Sequence, residues 1–453
     1  MLSSNNRNLT ASRRQFLQTS GAFALGFVGL HSLVGCRDFP AQAKERFGPL
    51  IADPEGIMDL PEKFSYKIVS RMGDLMDDGF YVPGAADGMA TFAGPTGETI
   101  VIRNHEINPD ADPGMGPFGS ENALFDRIDS DLLYDAGIDG NPALGGTTTF
   151  IYDTASQQLV SQYLSLAGTL RNCAGGPTPW NTWITCEEIT TLAGGGYAKD
   201  HGYVFQVPAS VSPSIARPIP IRAMGRFNHE AVAVDPATNI IYQTEDTGDS
   251  LIYRFIPKDP KNLPDGGRLQ ALQIIEHPSL DTRNWDSQTV LVGTQFDIGW
   301  IDLDDVGSPL DDLRIRGFDQ GAAMFARGEG MWYGNDSIYF ACTNGGSAKC
   351  GQIWRLDPSW NRLELFIEPN DPGLIENADN LTVTPWGDLI VCEDGSAEQF
   401  LVGVTPEGEL YKFARNAVSN SELAGSTFSP DGTTLFVNIQ HDGLTLAITG
   451  PWT

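Results

Sequence analysis

The chain has 453 residues, 41% apolar and 19% charged, which is enough apolar content for a large core and excludes general disorder. Lys and Arg total 29 against 58 Asp and Glu, a net charge of −29 that would repel a nucleic-acid backbone or an anionic membrane surface. Acidity of this size either keeps the protein soluble or gathers carboxylates around cations such as Ca²⁺.

Residues 11–17 contain Arg13-Arg14 followed by Phe16-Leu17, the pattern of a twin-arginine export signal. The apolar stretch from Gly21 to Val34 is too short for a comfortable membrane span. It ends in Leu33-Val34-Gly35-Cys36, which reads as a lipobox whose cysteine is lipidated, with cleavage nearby and an incidental Cys36 as the plainer reading. The expected divisions are a signal over 1–36 and one domain over 37–453. The expected location is the periplasm or cell envelope, with membrane contact only through a lipid anchor at Cys36.

After the signal, short β-rich runs alternate with turn clusters and no long amphipathic helix appears. The runs include 147–153 (TTTFIYD), 203–208 (YVFQVP), 251–257 (LIYRFIP), 352–358 (QIWRLDP) and 409–413 (ELYKF). Turns are expected at Asp235-Pro236, at Pro385-Trp386-Gly387-Asp388 and at Ser429-Pro430-Asp431-Gly432.

One strand type recurs six times and ends in a polar, mostly acidic cluster: 99–106, 182–188, 240–246, 337–344, 388–394 and 434–442. The basal period near 50 residues, with insertions, predicts an all-β, six-bladed β-propeller with loop insertions. A second landmark precedes four of these clusters by 13 or 14 residues: Cys173 before Cys186, Glu230 before Thr244, Glu329 before Cys342 and Asp379 before Cys392. Each opens a strand, and equivalent positions in successive blades converge on the axis. Glu187, Glu188, Glu245, Asp246, Glu393 and Asp394 offer a second ring.

Carboxylates converging unpaired would repel one another strongly, so the pattern points to bound cations; the plainer reading is a set of exposed acidic turns. Oxygen ligands suit Ca²⁺, Mg²⁺ or Fe³⁺, and a thiolate among them points to a transition metal, most plausibly iron. No His/Cys set with zinc spacing occurs. Of the remaining cysteines, Cys186 and Cys392 belong in core strands, whereas Cys342 and Cys350 flank a Gly-Gly turn and the sequence leaves open whether a disulfide joins them.

The block from Arg171-Asn172-Cys173 through Trp180 and Trp183 to Glu187-Glu188 resembles the signature of PhoX-type alkaline phosphatases. His201-Gly-Tyr-Val-Phe, Gly225-Arg226-Phe-Asn-His229-Glu230, Thr244-Glu245-Asp246 and Ala326-Arg327-Gly328-Glu329-Gly330 share that resemblance, which runs from about Asn104 to Asp394. It implies a phosphomonoesterase with an axial Fe³⁺ and Ca²⁺ cluster held by Cys173, Glu188, Glu230, Glu245, Glu329 and Asp379. Arg327 would contact the phosphate. It further implies small phosphomonoester substrates; the charge leaves no nucleic-acid partner expected, and the chain is expected to be a monomer. This chain departs from the family pattern at Asn181, Gly328 and Glu393. Two other functions compete: a non-catalytic, calcium-stabilised binding platform and a Ca²⁺-dependent lactonase-like hydrolase. Neither needs the thiolate of Cys173 or a phosphate clamp at Arg327.

Overall fold

In the computed structural model, residues 45–138 and 140–452 are described. The twin-arginine segment and Cys36 lie outside them. The recurring runs rich in Val, Ile, Phe and Tyr form antiparallel strands, because branched and aromatic side chains suit a pleated, half-buried surface. The expected strands appear as Gly145–Asp153, Val204–Pro208, Ile252–Pro257, Gln352–Asp357 and Leu410–Asn416. The described residues contain one α-helix, Leu313–Asp319, and none long and apolar enough to cross a membrane.

Turn chemistry fixes the strand ends. Asp388 N–H and carbonyl positions around Gly387 close the hairpin after the Ala378 strand: Thr384 N donates to Asp388 O (2.8 Å), and Gly387 takes φ +94°, a conformation favouring glycine. Asp235 caps its own turn, accepting from Ala237 N (2.9 Å) and Thr238 Oγ1 (2.6 Å).

The fold is all-β and propeller-like. The expected units do not stay separate: the described strands join into five sheets. One has four strands, starting at Ala86–Ala93 and ending at Gln158–Thr169. A three-stranded sheet follows, Asn172–Pro177, Thr182–Glu187 and Val204–Pro208. The next has nine strands, because Gln295–Asp302 pairs with Gly267–Ile274 on one side and with Arg362–Ile367 on the other. It therefore stitches the group opening at His229–Val234 to the group opening at Gly328–Gly334. Ala378–Val383 opens a six-stranded sheet, and Leu423–Phe428 opens the last. That last sheet is completed from the other end of the chain, where Ser65–Arg71 pairs with Leu444–Thr449.

The six opening strands pack side by side in chain order, and the Leu423 strand returns to pack against the Ala86 strand. Sheets meet face to face, so strands are apolar on both sides. Ile184 and Val204 pack with Val232, Tyr253 and Phe255 between two neighbouring sheets. Cys186 and Cys392 lie in the core as expected. The open question of a Cys342–Cys350 bridge is answered by two free thiols: Cys342 is packed with Phe340 and Trp354, while the Cys350 thiol turns to the Ala348 carbonyl, and all five described cysteines are free.

Candidate metal centre

The opening strands share one irregularity. In the Asn172 strand, Asn172 pairs with Glu187 but the next pair is Gly175 with Thr185, so one extra residue is inserted. The same β-bulge follows Ala86, His229, Gly328 and Ala378. A bulge re-aims the side chain it contains. The first bulged residues are Asp87, Cys173, Glu230, Glu329 and Asp379, and all five are buried. In the Leu423 strand the bulge opens with Gly425 at φ +64°, where a Cβ would lie 2.3 Å from Asp87 O.

Four of these five were predicted from spacing, and the structure brings them together. Asp87 was missed because its hairpin is longer: Ala86 pairs with His105, whereas Asn172 pairs with Glu187 and Gly328 with Cys342. Glu106 was missed because His105 stands beside it where Glu187 stands beside Glu188, so its cluster lacks the paired acids; Glu422 was missed because it lies at no repeated spacing.

The proposed second ring divides in two. Glu188, Asp246 and Asp394 line the pocket. Their neighbours Glu187, Glu245 and Glu393 point the other way, as successive side chains on a strand do. Glu187 accepts from Leu170 N, Gly202 N and Tyr203 N and pairs with His201 Nδ1 at 2.6 Å. Glu393 accepts from Glu376 N, Phe400 N and Lys412 Nζ. Glu245, expected as a ligand, is held instead by the Tyr253 hydroxyl (2.6 Å) and Leu251 N (3.3 Å), with Arg314 at 3.7 Å. Burial first, and only partly offset by these partners, raises its carboxyl to about 8. These first acids tie the entry of the following strand, and the second acids face the cavity.

The cavity measures about 440 Å³. Nine carboxylates and two guanidinium groups line it among the described residues. Four triplets have ligand atoms within 4.8 Å of one another: Asp87 with Glu106 and Cys173; Cys173 with Glu188 and Glu230; Glu230 with Glu329 and Asp379; and Asp379 with Asp394 and Glu422. Consecutive triplets share Cys173, Glu230 and Asp379, so the donors form one continuous set. Burial, reinforced by neighbouring carboxylates, pushes the Glu230, Glu329 and Glu188 carboxyls well above the usual range. Burial and the Asp394 charge raise Asp379 to about 7. The Cys173 thiol is pushed up by burial and then by Asp87 and Glu230. Its Sγ lies 3.1 Å from Glu230 Oε1, while Glu230 Oε2 is buried with no hydrogen-bond partner in the described structure. Such an orphaned oxygen is costly unless a cation takes it, and the donor set fits metal ions.

Arg327 reaches this acidic cavity by a route other than strand alternation. It precedes the Gly328 strand at φ +50°, and its Nη2 meets Glu329 Oε1 at 2.8 Å. One bidentate edge of its guanidinium is taken by Asp246, which accepts from Nε (2.7 Å) and Nη2 (2.8 Å). Nη1 has no hydrogen-bond partner among the described residues.

The sequence profile described as Alkaline phosphatase PhoX matches residues 45–131 and 141–443, the greater part of the chain. The chain belongs to the PhoX alkaline phosphatase family. It is accordingly an enzyme of the phosphoric monoester hydrolase class. No curated protein matches it. Among solved structures, it is similar to PhoX of Pseudomonas fluorescens in complex with vanadate, a transition-state analogue, with 18% identity, a TM-score of 0.66 and coverage of 89% of this chain and 97% of that one. A gluconolactonase of Xanthomonas campestris is a more distant likeness, at 11% identity and a TM-score of 0.42 over 85% of this chain and 98% of that one. The former supports the PhoX fold for this chain.

Proposed function

We propose that the chain is an exported, metal-dependent phosphomonoesterase that hydrolyses phosphate monoesters at an iron and calcium cluster on the axis of a six-bladed propeller. The closed circuit of six opening strands supports six blades in one domain over 37–453. The observation that carries the function is the continuous donor set, one thiol among many carboxylates, in the same cavity as Arg327.

The donors divide by chemistry. Cys173, with Glu188, Glu230, Glu329 and Asp379, suits Fe³⁺, because sulfur is the soft ligand; the all-oxygen set of Asp379, Asp394 and Glu422 suits Ca²⁺. Asp87 and Glu106 extend the first group. Bound there, the cations supply Lewis-acid polarisation and neutralise charge on the phosphoryl group. Asp246 and Glu329 hold the Arg327 guanidinium in place and leave Nη1 to donate to a phosphate oxygen. The cavity volume admits a small monoester. The Arg13-Arg14 signal supports twin-arginine export, and Cys36 supports a lipid anchor. The enzyme is read as a monomer.

Arg327→Lys tests the assignment. It keeps a positive charge but loses the fixed fork, so metal content and fold should persist while turnover of p-nitrophenyl phosphate falls by roughly 10- to 1000-fold. A parallel fall in metal content and melting temperature would make Arg327 structural.

A further inference from the structure

We infer that Arg171 is a second phosphate-contacting arginine, lining the same cavity as Arg327. The inference rests on the phosphatase reading above. The two residues are equivalent in the fold: Arg171 lies two residues before bulged Cys173, and Arg327 two before bulged Glu329. Both adopt the left-handed region, Arg171 at φ +43° and Arg327 at φ +50°. Side chains other than glycine visit it at a cost, and such positions concentrate at functional sites. Ala85 and Asn377 take the same conformation at the matching place before Asp87 and Asp379, but neither carries a charge.

The hydrogen bonding is equivalent as well. Arg171 Nε (3.0 Å) and Nη2 (2.5 Å) donate to Glu106 Oε1, and Nη2 also donates to Glu188 Oε2 (2.6 Å). Arg327 uses Nε and Nη2 for Asp246 and Glu329 in the same manner. In each case Nη1 keeps two N–H groups without a partner among the described residues. Both side chains are about one-third exposed, 30% and 35%, and both line the same cavity. A guanidinium needed only to neutralise carboxylates has no reason to keep the same nitrogen without a partner in both copies of the arrangement. With the bidentate edge of Arg327 occupied, that residue offers a phosphate only Nη1. Arg171 Nη1 supplies the second donor that a group with three terminal oxygens accepts.

The test measures inhibition by orthovanadate and by inorganic phosphate in Arg171→Lys and Arg171→Gln, alongside iron and calcium content and turnover of p-nitrophenyl phosphate. Arg171→Lys preserves the charge between Glu106 and Glu188, so metals and melting temperature should stay at wild-type values. Both inhibition constants should rise by roughly 10- to 100-fold, the weight of a charge-assisted hydrogen bond. Arg171→Gln should weaken inhibition at least as much in the fraction that retains metal. Unchanged inhibition per metal-loaded molecule in both variants would overturn the inference and leave an active wild type, and with it the phosphatase reading, intact. A metal-loaded wild type that hydrolyses nothing would remove the reading and the inference together.

Discussion

At the residue scale, one acid of each strand-end pair faces the cavity and the other ties backbone. Glu230 is shared by two triplets and has a free buried oxygen. Glu230→Gln should therefore lower total bound metal by more than one ion per chain, read by elemental mass spectrometry. Glu245→Gln should leave metal content unchanged, since its carboxylate is held by Tyr253 and Leu251 outside the cavity. Cys173→Ser should reduce iron far more than calcium. His201 gives a pH signature away from the ligands. Burial disfavours its charge, but Glu187 at Nδ1 and Asp135 at Nε2 outweigh this and raise its pKa. Its stabilisation is then fully present below the unfolded value of about 6.5 and is lost as pH rises through the raised folded value. His201→Gln should cost about 2 kcal/mol at pH 6, and denaturation should show the gap from wild type narrowing as pH rises above the unfolded value.

At the element scale, strand identity was legible because apolar runs and Gly, Pro and Asp turns repeat. Four axial residues were legible because each bulge keeps a near-constant distance from the strand that follows. Asp87 escaped because its hairpin is longer, and Glu245 was misplaced because adjacent acids look alike in sequence although the pleat sends them to opposite sides. The merging of two groups through Gln295–Asp302 was not legible, since pairing between distant strands leaves no local signal. Closure by Ser65–Arg71 brings the first and last parts of the described sheets together, where Trp452 packs on Phe64 (4.9 Å), Phe413 (5.2 Å) and Phe428 (5.0 Å). Its indole N–H donates to Thr433 O at 2.9 Å. Trp452→Ala should destabilise the protein by about 3–5 kcal/mol in chemical denaturation, with metal content retained, because the clasp lies among aromatic residues rather than at the cavity.

At the scale of the whole molecule, a net charge of −29 and a cavity that nine carboxylates and two guanidiniums line among the described residues set like charges against one another, a repulsion that bound cations would relieve. Ions that bind only the folded chain stabilise it by mass action, about 3 kcal/mol at a hundredfold excess over Kd, so chelation should lower the melting temperature. In the proposed function the same cations serve the chemistry, which makes turnover after their removal the most direct test. Exported, metal-loaded protein should hydrolyse p-nitrophenyl phosphate, lose that activity on exhaustive chelation and regain it when iron and calcium are returned together. Protein that carries its full complement of metal and shows no phosphomonoester turnover at any pH, or whose turnover survives complete metal removal, would contradict the account.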